Sequence, residues 1–488
     1  MEAQPLAIHE LSHSRRLGVL LICCLSLFLV GLDITAVYVG LPSIGRELHA
    51  GISWLQWTID AYIIVMASLL MFAGSTADRI GRKRVFMTGL LVFTLASLLC
   101  SVAPTVELLV AFRVLQALGG CMLNPVAMSI ITNTFTDPRE RAHAVGIWGA
   151  AFGISMAMGP VIGGALVSSI GWRAIFWLNI PVGLAALALT LRFVPESKAP
   201  HPRRFDAVGQ VLVFVLLASL TFGIIEAPSH GWTSPLILAM FSASAAALVG
   251  LLIYEPRRDE PLIDLRFFRS IPFSSSIGLA LSAFAAFGGF LFLNTLYLQD
   301  GRGLSPLQAG LATMPMALMI FLISPISGRV VGHRGPRVPL AIAGACMMVA
   351  CALLAEVDAS TPLAQLLAIY VVFGIGFGFV NVPITNAAVS GMPRAQAGVA
   401  AAIASGSRQV GHTLGVAVVG AIIASQLGTS SHDDPSAASH PAWWFLSACC
   451  AVVLTLAFVA TDRRASESAR RTAAELNPEA LGAQALAR

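Results

Sequence analysis

Charged residues are scarce in this sequence. Asp, Glu, Lys and Arg make up 11% of the 488 residues, whereas soluble domains contain about 25%. With 57% apolar residues and a mean hydropathy of +0.80, the chain cannot cover a water-exposed surface with polar groups. This excludes cytosolic enzymes, secreted domains and disordered chains. The net charge of +5 comes from scattered short clusters, which excludes a nucleic-acid-binding face. The composition therefore predicts an integral membrane protein.

The residues that build metal, nucleotide or catalytic sites are also sparse or badly spaced. Eight cysteines lie in apolar runs without metal-type spacing and are expected to act as small hydrophobic residues, namely Cys23, Cys24, Cys100, Cys121, Cys346, Cys351, Cys449 and Cys450. The sequence has no Walker-type phosphate loop, so ATP is not expected to drive the protein directly. A polytopic membrane enzyme or sensor would need a catalytic cluster or an appended soluble domain. The longest polar segments are the tail and the loop around Arg257–Arg269, so we predict no catalytic residues, no metal site and no cofactor.

Long apolar runs are abundant. A membrane-spanning helix needs about 20 mostly apolar residues, and fourteen such runs occur, at 17–41, 53–76, 84–103, 106–132, 142–169, 173–194, 207–227, 236–254, 272–298, 307–331, 338–356, 363–390, 397–425 and 442–461. Placing the N-terminus inside puts 25 of the 30 Lys and Arg residues in cytoplasmic segments. Because basic residues concentrate on the cytoplasmic side, this predicts fourteen spans with both termini cytoplasmic.

An internal repeat gives the domain organisation. Gly74–Arg84 links spans 2 and 3, and Gly328–Arg337 links spans 10 and 11 in a degenerate copy. The offset fits two six-helix halves separated by two inserted spans, a plan typical of secondary transporters. We predict an all-α polytopic membrane protein made of a cytoplasmic N-terminus (1–16), an N-terminal six-helix bundle (17–194), a linker with inserted spans 7 and 8 (195–270), a C-terminal six-helix bundle (271–461) and a cytoplasmic tail (462–488).

Two segments have sequences that predict a role in conformational change. In the ordered string of Gly74–Arg84, we expect Asp78 to cap the following helical turn and to pair with Arg79 or Arg82, although a cytoplasmic loop is often basic for topology alone. In span 5 a row of glycines is expected to let a neighbouring helix touch the backbone, and Pro160 favours a kink. Tight static packing is the alternative. The proposed conformational residues are Gly74, Asp78, Arg79, Gly81, Arg82, Gly146, Gly159, Pro160, Gly163 and Gly164.

Asp33, Asp60 and Arg113 are the clearest charged residues inside spans, where charge is costly and points to function. Low-dielectric surroundings favour the neutral form of a carboxyl group, so we expect Asp33 to load and release protons and Arg113 to modulate that exchange. A permanent structural ion pair is the alternative. Asp60 lies mid-span between Trp57 and Tyr62, an arrangement suited to a cation through charge and ring faces. Arg408 in span 13, which contains no acid, weakens the case for a cationic substrate.

The motifs resemble those of the major facilitator superfamily and of its 14-helix drug:proton antiporter branch. The Gly74–Arg84 loop resembles the signature loop of the superfamily. The strings that resemble the branch are Leu32-Asp33-Ile34-Thr35 with Leu41-Pro42, Arg113-Val114-Leu115-Gln116 with Gly119-Gly120, Gly159-Pro160-Val161-Ile162-Gly163-Gly164, Trp172 to Gly183, and Pro261 to Arg269. The sequence departs from the family pattern at three positions, where Tyr38 replaces the usual Asn, and Ala117 and Ser155 replace glycines.

The resemblance implies a major facilitator fold and a proton-coupled antiporter. It implies export of amphipathic drugs or antibiotics across a bacterial inner membrane, powered by the proton gradient, with lipophilic cations among the substrates because of Asp60. A narrow exporter or importer of a native metabolite is the alternative on the same fold. The expected partners are small amphipathic molecules, protons and lipids, and the chain is expected to be monomeric. The candidate substrate-binding residues are Asp60, Trp57, Tyr62, Tyr38, Asn294, Tyr297, Asn381 and Asn386.

Overall fold

The computed structural model describes residues 12–199, 206–258, 261–358, 360–429 and 439–476. Within these residues, fourteen helices are long and apolar enough to cross a membrane, which confirms the predicted number of spans. Residues 1–11 of the predicted N-terminus and 477–488 of the predicted tail lie outside the described residues.

The described elements are almost entirely helical. In chain order the helices are α1 (His13–Glu47), α2 (Ile52–Ile80), α3 (Arg82–Ser101), α4 (Val106–Thr134), α5 (Pro138–Ser169), α6 (Arg173–Phe193), α7 (Ala207–His230), α8 (Pro235–Tyr254), α9 (Ile271–Leu296), α10 (Pro306–Ala312), α11 (Met314–Arg334), α12 (Arg337–Leu354), α13 (Leu363–Gly378), α14 (Asn381–Val389), α15 (Arg394–Thr429), α16 (His440–Val459) and α17 (Arg463–Leu476). Short 3₁₀ segments lie at Glu255–Arg257 and Leu265–Arg269, and a π-turn lies at Tyr297–Gly301.

Two predicted spans consist of two helices each. Span 10 comprises α10 and α11, which meet at Thr313, and α10 begins with a capping box between Ser305 and Gln308. Span 12 comprises α13 and α14, which are separated by Phe379 and Val380. The glycine-rich end of α13 explains this interruption, because glycine lowers helix stability. Helices α15 and α16 are spans 13 and 14, and α17 belongs to the tail.

The chain forms two compact units. Unit 1 contains Met1–Phe214 and Leu298–Met314, and unit 2 contains Val215–Tyr297 and Pro315–Arg488. This grouping differs from the predicted boundaries, because the boundary passes through α7 and a segment from the second half of the sequence joins unit 1. At the start of α7, Gln210 donates a hydrogen bond to the carbonyl of Ser68 on α2, which ties that end to unit 1.

In unit 1, α1 packs against α5 along a row of small residues. On α5 the positions Ser155, Gly159 and Gly163 recur every four residues, so they share one helix face. A Cβ on Gly159 would collide with Thr35, and one on Gly163 would lie 2.9 Å from the Cα of Ala36. These glycines therefore allow the two backbones to approach, as expected for span 5.

The expectation of backbone contact was wrong for the first part of α5. A Cβ on Gly146, Gly149 or Gly153 would meet no atom of the described residues within 4 Å. These positions border open space, so no packed neighbour requires a glycine there. Close packing of α5 against α1 begins at Phe152 and Ser155, whose side chains both approach Gly31 of α1.

The end of α5 packs against α10 and the turn before it. A Cβ on Gly164 would lie 3.0 Å from the Cα of Leu307, and a Cβ on Gly310 would collide with the carbonyl group of Pro160. The amide of Leu307 donates to the Ser168 hydroxyl at 3.0 Å. These close contacts explain why Leu298–Met314 belongs to unit 1.

Polar contacts support the same packing on α1. Arg46 pairs with Asp300 at 3.0 Å, and Gln299 donates to the carbonyl of Val39 at 2.8 Å. The π-turn is thereby held against the end of α1.

Unit 2 uses glycines in the same way. A Cβ on Gly411 of α15 would lie 2.8 Å from the Cα of Leu281 on α9. Gly376 of α13 would similarly meet Met347 of α12, and Gly344 of α12 would meet the backbone of Leu454 on α16. The glycines of α13 thus serve helix packing.

The degenerate repeat is visible in the backbone. Gly81 between α2 and α3 has φ 129°, and Gly335 between α11 and α12 has φ 74°. Both values lie where glycine is favoured over residues with a side chain. The two aligned loops therefore share a glycine-dependent turn.

Replacing Gly163 with Val is expected to lower the unfolding temperature of the purified protein in detergent. The side chain would meet Ala36, and overpacking of this kind costs about 1–3 kcal/mol. Gly149→Val is the matched control, because it lies on the same helix but borders open space. Equal unfolding temperatures for the two variants would contradict the packing described for α1 and α5.

Candidate functional site

A cluster of buried polar side chains lies in unit 1. Asp33 of α1 and Arg113 of α4 are 0% and 1% exposed, and Arg113 Nη1 lies 2.5 Å from Asp33 Oδ2. The structure thus brings together the two residues predicted for proton coupling. A buried pair recovers its desolvation cost only with good geometry and further hydrogen bonds.

Those further hydrogen bonds come from two amide side chains. Gln116 Nε2 and Asn179 Nδ2 donate to Asp33 Oδ1 at 2.9 and 2.8 Å. Gln116 also accepts from Arg113 Nη1 at 2.7 Å and donates to the hydroxyl of Ser97 at 2.9 Å. Both oxygens of Asp33 therefore accept hydrogen bonds from neighbouring side chains.

Neither amide was predicted from the sequence to have a role in the site. Gln116 lies one turn after Arg113 on α4, so both residues share one helix face. This spacing could have predicted Gln116 as a neighbour of Asp33. Asn179 is the buried amide of α6, and only the fold brings it beside Asp33. The cluster joins α1, α3, α4 and α6.

Tyr62 was expected to lie beside Asp60, but in the structure it belongs to the ion-pair cluster. The guanidinium carbon of Arg113 lies 4.1 Å from the Tyr62 ring centroid, and Arg113 Nε donates to the carbonyl of Thr58 at 3.1 Å. Residues two apart on a helix are separated by about 200°, which explains why Tyr62 and Asp60 diverge. The Tyr62 ring already holds a cation, which is Arg113.

Asp60 is isolated. Its side chain is 0% exposed, and neither carboxylate oxygen has a hydrogen-bond partner among the described residues. Buried Tyr38 lies within electrostatic range of Asp60 and Arg113, and half-buried Trp57 lies one turn before Asp60 on α2. An unpaired buried carboxylate costs free energy, and a proton or a cation can relieve that cost.

The remaining candidates for substrate binding lie in unit 2. Asn294 is buried and accepts a hydrogen bond from the Tyr370 hydroxyl, while the Tyr297 hydroxyl donates to the carbonyl of Asp358 at 2.9 Å. Asn381 is half-buried at the start of α14, and Asn386 is exposed. Asn294 and Tyr297 therefore make hydrogen bonds within the protein, whereas Asn381 and Asn386 are more accessible.

The junction between α2 and α3 corrects one prediction. Asp78 lies inside α2, two residues before its last residue, Ile80, so it does not cap the following turn. It accepts from Arg82 Nη2 at 2.8 Å, one of the two pairings expected, while Arg79 is exposed at the end of α2. Gly74 is in ordinary contact with Pro125 of α4, at 3.8 Å for a Cβ.

Glu196 is a further residue of this junction that was not predicted from the sequence. It accepts from the amide of Lys83 at 3.1 Å and lies 3.7 Å from Arg84 Nε. A Cβ on Gly81 would collide with its carboxylate. The basic loop at Arg82–Arg84 needs an acidic partner, but Glu196 is 113 residues away from Lys83 in the sequence, so no local pattern predicted the contact. Glu196 thus holds the segment after α6 against the junction.

Removing one charge of the Asp33–Arg113 pair is expected to destabilise the protein more than removing both. Breaking a buried pair typically costs about 3–5 kcal/mol, because one charge remains without its partner. We expect Arg113→Met to lower the unfolding temperature strongly, and Asp33→Asn combined with Arg113→Met to recover part of the loss. A double variant as unstable as the sum of the single variants would contradict direct pairing.

Known proteins resemble the chain in sequence. The family model described as Major Facilitator Superfamily matches residues 23–416. "Multidrug resistance protein Stp" of Mycobacterium tuberculosis is 36% identical over 406 residues, covering 83% of this chain and 75% of the relative. The "Tetracenomycin C resistance and export protein" of Streptomyces glaucescens is 35% identical over 426 residues, covering 86% and 78%.

Solved structures share the fold at low sequence identity. A crystal structure of the peptide transporter POT in complex with sulfate has a TM-score of 0.66 and 14% identity, covering 93% of this chain and 95% of that one. A bacterial homologue of the human lysosomal transporter Spinster, in an inward-facing and occupied conformation, has a TM-score of 0.65 and 18% identity, covering 94% and 98%.

Proposed function

The chain belongs to the major facilitator superfamily, and we propose that it is a proton-coupled antiporter that exports amphipathic drugs or antibiotics. Membership, which the motifs predicted, is confirmed by the family model and by relatives above 30% identity. The names of those relatives, which refer to multidrug resistance and to antibiotic resistance and export, support the choice of cargo.

The buried Asp33–Arg113 pair is the observation that carries the proposal of proton coupling. Both charges are removed from solvent, and their attraction is strong because the surroundings are apolar. A proton on Asp33 removes the negative charge and weakens the contact with Arg113. Proton binding and the charge pair therefore compete for the same carboxylate.

This competition can drive alternating access. A proton from the outer side binds Asp33, and Arg113 loses its counter-charge. The proton leaves to the cytoplasm when Arg113 pairs with Asp33 again, and cargo moves outward in the same cycle. Helix α1 connects this exchange to packing, because Asp33 faces α4 and α6 while Thr35 and Ala36 contact α5.

Asp60 is proposed to receive the positive charge of cationic cargo. Its carboxylate is buried and unpaired among the described residues, and Trp57 on the same side of α2 offers an aromatic face. Tyr38 completes this group through its electrostatic contact with Asp60. Tyr62 is excluded from direct cation binding by its contact with Arg113.

The topology is proposed to place both termini in the cytoplasm of a bacterial cell and the spans in its inner membrane. Basic residues at the start of α1, the end of α2 and the starts of α3 and α5 support this orientation. Contacts such as Arg16 with Glu140, at 2.8 Å, join helix ends on that side. The contact of α5 with α10 then lies toward the outer face.

Asp33→Asn is expected to abolish transport driven by a pH gradient, because the amide cannot take up and release the proton. Everted vesicles and ethidium provide the assay, with nigericin used to collapse the gradient. Exchange of ethidium without a gradient is expected to continue. The control is Asp462→Asn, which changes an exposed acid. Full gradient-driven transport by Asp33→Asn would contradict the coupling.

Growth of a drug-sensitive host with and without the protein, across a panel of compounds, separates broad from narrow substrate specificity.

Asp60→Asn is expected to weaken binding of tetraphenylphosphonium while leaving neutral ligands unaffected, because only the cation loses its counter-charge. Ligand-induced quenching of the eight tryptophans measures both. Asp300→Asn is the control, since it also neutralises an acid of unit 1, but at a half-exposed contact with Arg46. Equal binding of tetraphenylphosphonium to Asp60→Asn and the parent protein would contradict this role.

A further inference from the structure

Arg408 lies deep within the apolar part of unit 2. It is the thirteenth residue of the span Gln396–Gln426, and a helix rises 1.5 Å per residue. The 31-residue span is about 46 Å long, so a hydrocarbon layer about 30 Å thick that is centred on it has the Arg408 backbone about 10 Å inside the layer. A guanidinium at this depth is costly unless another group balances its charge.

The helices around Arg408 offer no balancing acid. Its Nη2 donates to the Thr385 hydroxyl on α14, and its Nε is buried without an acceptor among the described residues. The sequences of α9 and α11–α16 contain no Asp or Glu. Within these helices of unit 2, Arg408 is a positive charge held by a neutral hydroxyl.

The side of α15 that carries Arg408 is not fully packed. Arg408 retains partial exposure, as does Ser405 one turn earlier on the same helix face. The Arg408 side chain is therefore not fully enclosed by the described residues, although Gly411, one turn later on α15, packs directly against α9.

We infer that Arg408 binds the acidic group, a carboxylate or an ionised phenol, of amphipathic cargo. This inference rests on the proposed export function and adds a substrate class to it. The planar guanidinium presents several N–H donors in a fixed fork that matches two oxygens of a carboxylate. The contact with Thr385 fixes one arm of that fork, and the cargo supplies the counter-charge that the surrounding helices lack.

Three fluorescent probes with the same pyrenyl-butyl body test the inference: pyrenebutanoate, pyrenebutanol and pyrenebutyl-trimethylammonium. Fluorescence anisotropy measures their binding to the purified full-length protein. The parent is expected to bind the carboxylate more tightly than the alcohol. Arg408→Gln is expected to weaken carboxylate binding about tenfold to a hundredfold, the range for a hydrogen bond to a charged group, without changing alcohol binding.

Two further variants separate recognition from folding. Thr385→Val keeps the charge but removes the hydroxyl that orients it, so a smaller loss confined to the carboxylate probe is expected. Arg463→Gln removes an exposed arginine on α17 and is expected to behave like the parent. Unfolding temperatures establish that each variant is folded before binding is compared.

The inference is overturned if the parent does not prefer the carboxylate to the alcohol. It is also overturned if folded Arg408→Gln loses affinity for all three probes equally, which would assign Arg408 a structural role. Because binding is measured without a gradient, failure here leaves gradient-driven export intact. Conversely, loss of the coupling assigned to Asp33 leaves the carboxylate preference unchanged.

Discussion

The cost of placing charge in an apolar layer is the constraint on which this structure depends. Unit 1 meets it at Asp33 and Arg113, where an ion pair is completed by hydrogen bonds from Gln116 and Asn179. It leaves Asp60 unpaired among the described residues. Asp33 has hydrogen-bond partners and Asp60 has none among the described residues. This difference is the reason for proposing that Asp33 couples protons and that Asp60 recognises cargo.

The ion pair and the helix packing are linked through α1. Asp33 contacts α4 and α6, whereas Thr35 and Ala36 lie against the glycines of α5. The backbones of α1 and α5 are close enough that a side chain at Gly163 would not fit without a shift. A change in the charge of Asp33 therefore acts on a helix that is already packed tightly against α5, so movement of α1 must be shared with α5.

Local sequence patterns were sufficient for some features and not for others. Hydropathy and the distribution of basic residues predicted fourteen spans, and charge within spans identified Asp33, Asp60 and Arg113. The direction of a side chain was less accessible: Tyr62 follows Asp60 by two residues, and helix geometry turns it toward Arg113. Composition also suggested contacts at Gly146, and among the residues that the structure describes no atom lies within 4 Å of a Cβ at that position. Contacts between distant segments, such as Glu196 with Lys83, have no local signature.

The central claim is that a proton and Arg113 compete for Asp33. Infrared difference spectra between alkaline and acidic pH measure this directly, because a protonated carboxyl group absorbs at a frequency that a carboxylate does not. The account predicts that acidification of the parent produces a carboxyl band that is absent from Asp33→Asn and retained in Asp60→Asn. Identical spectra for the parent and Asp33→Asn would contradict it.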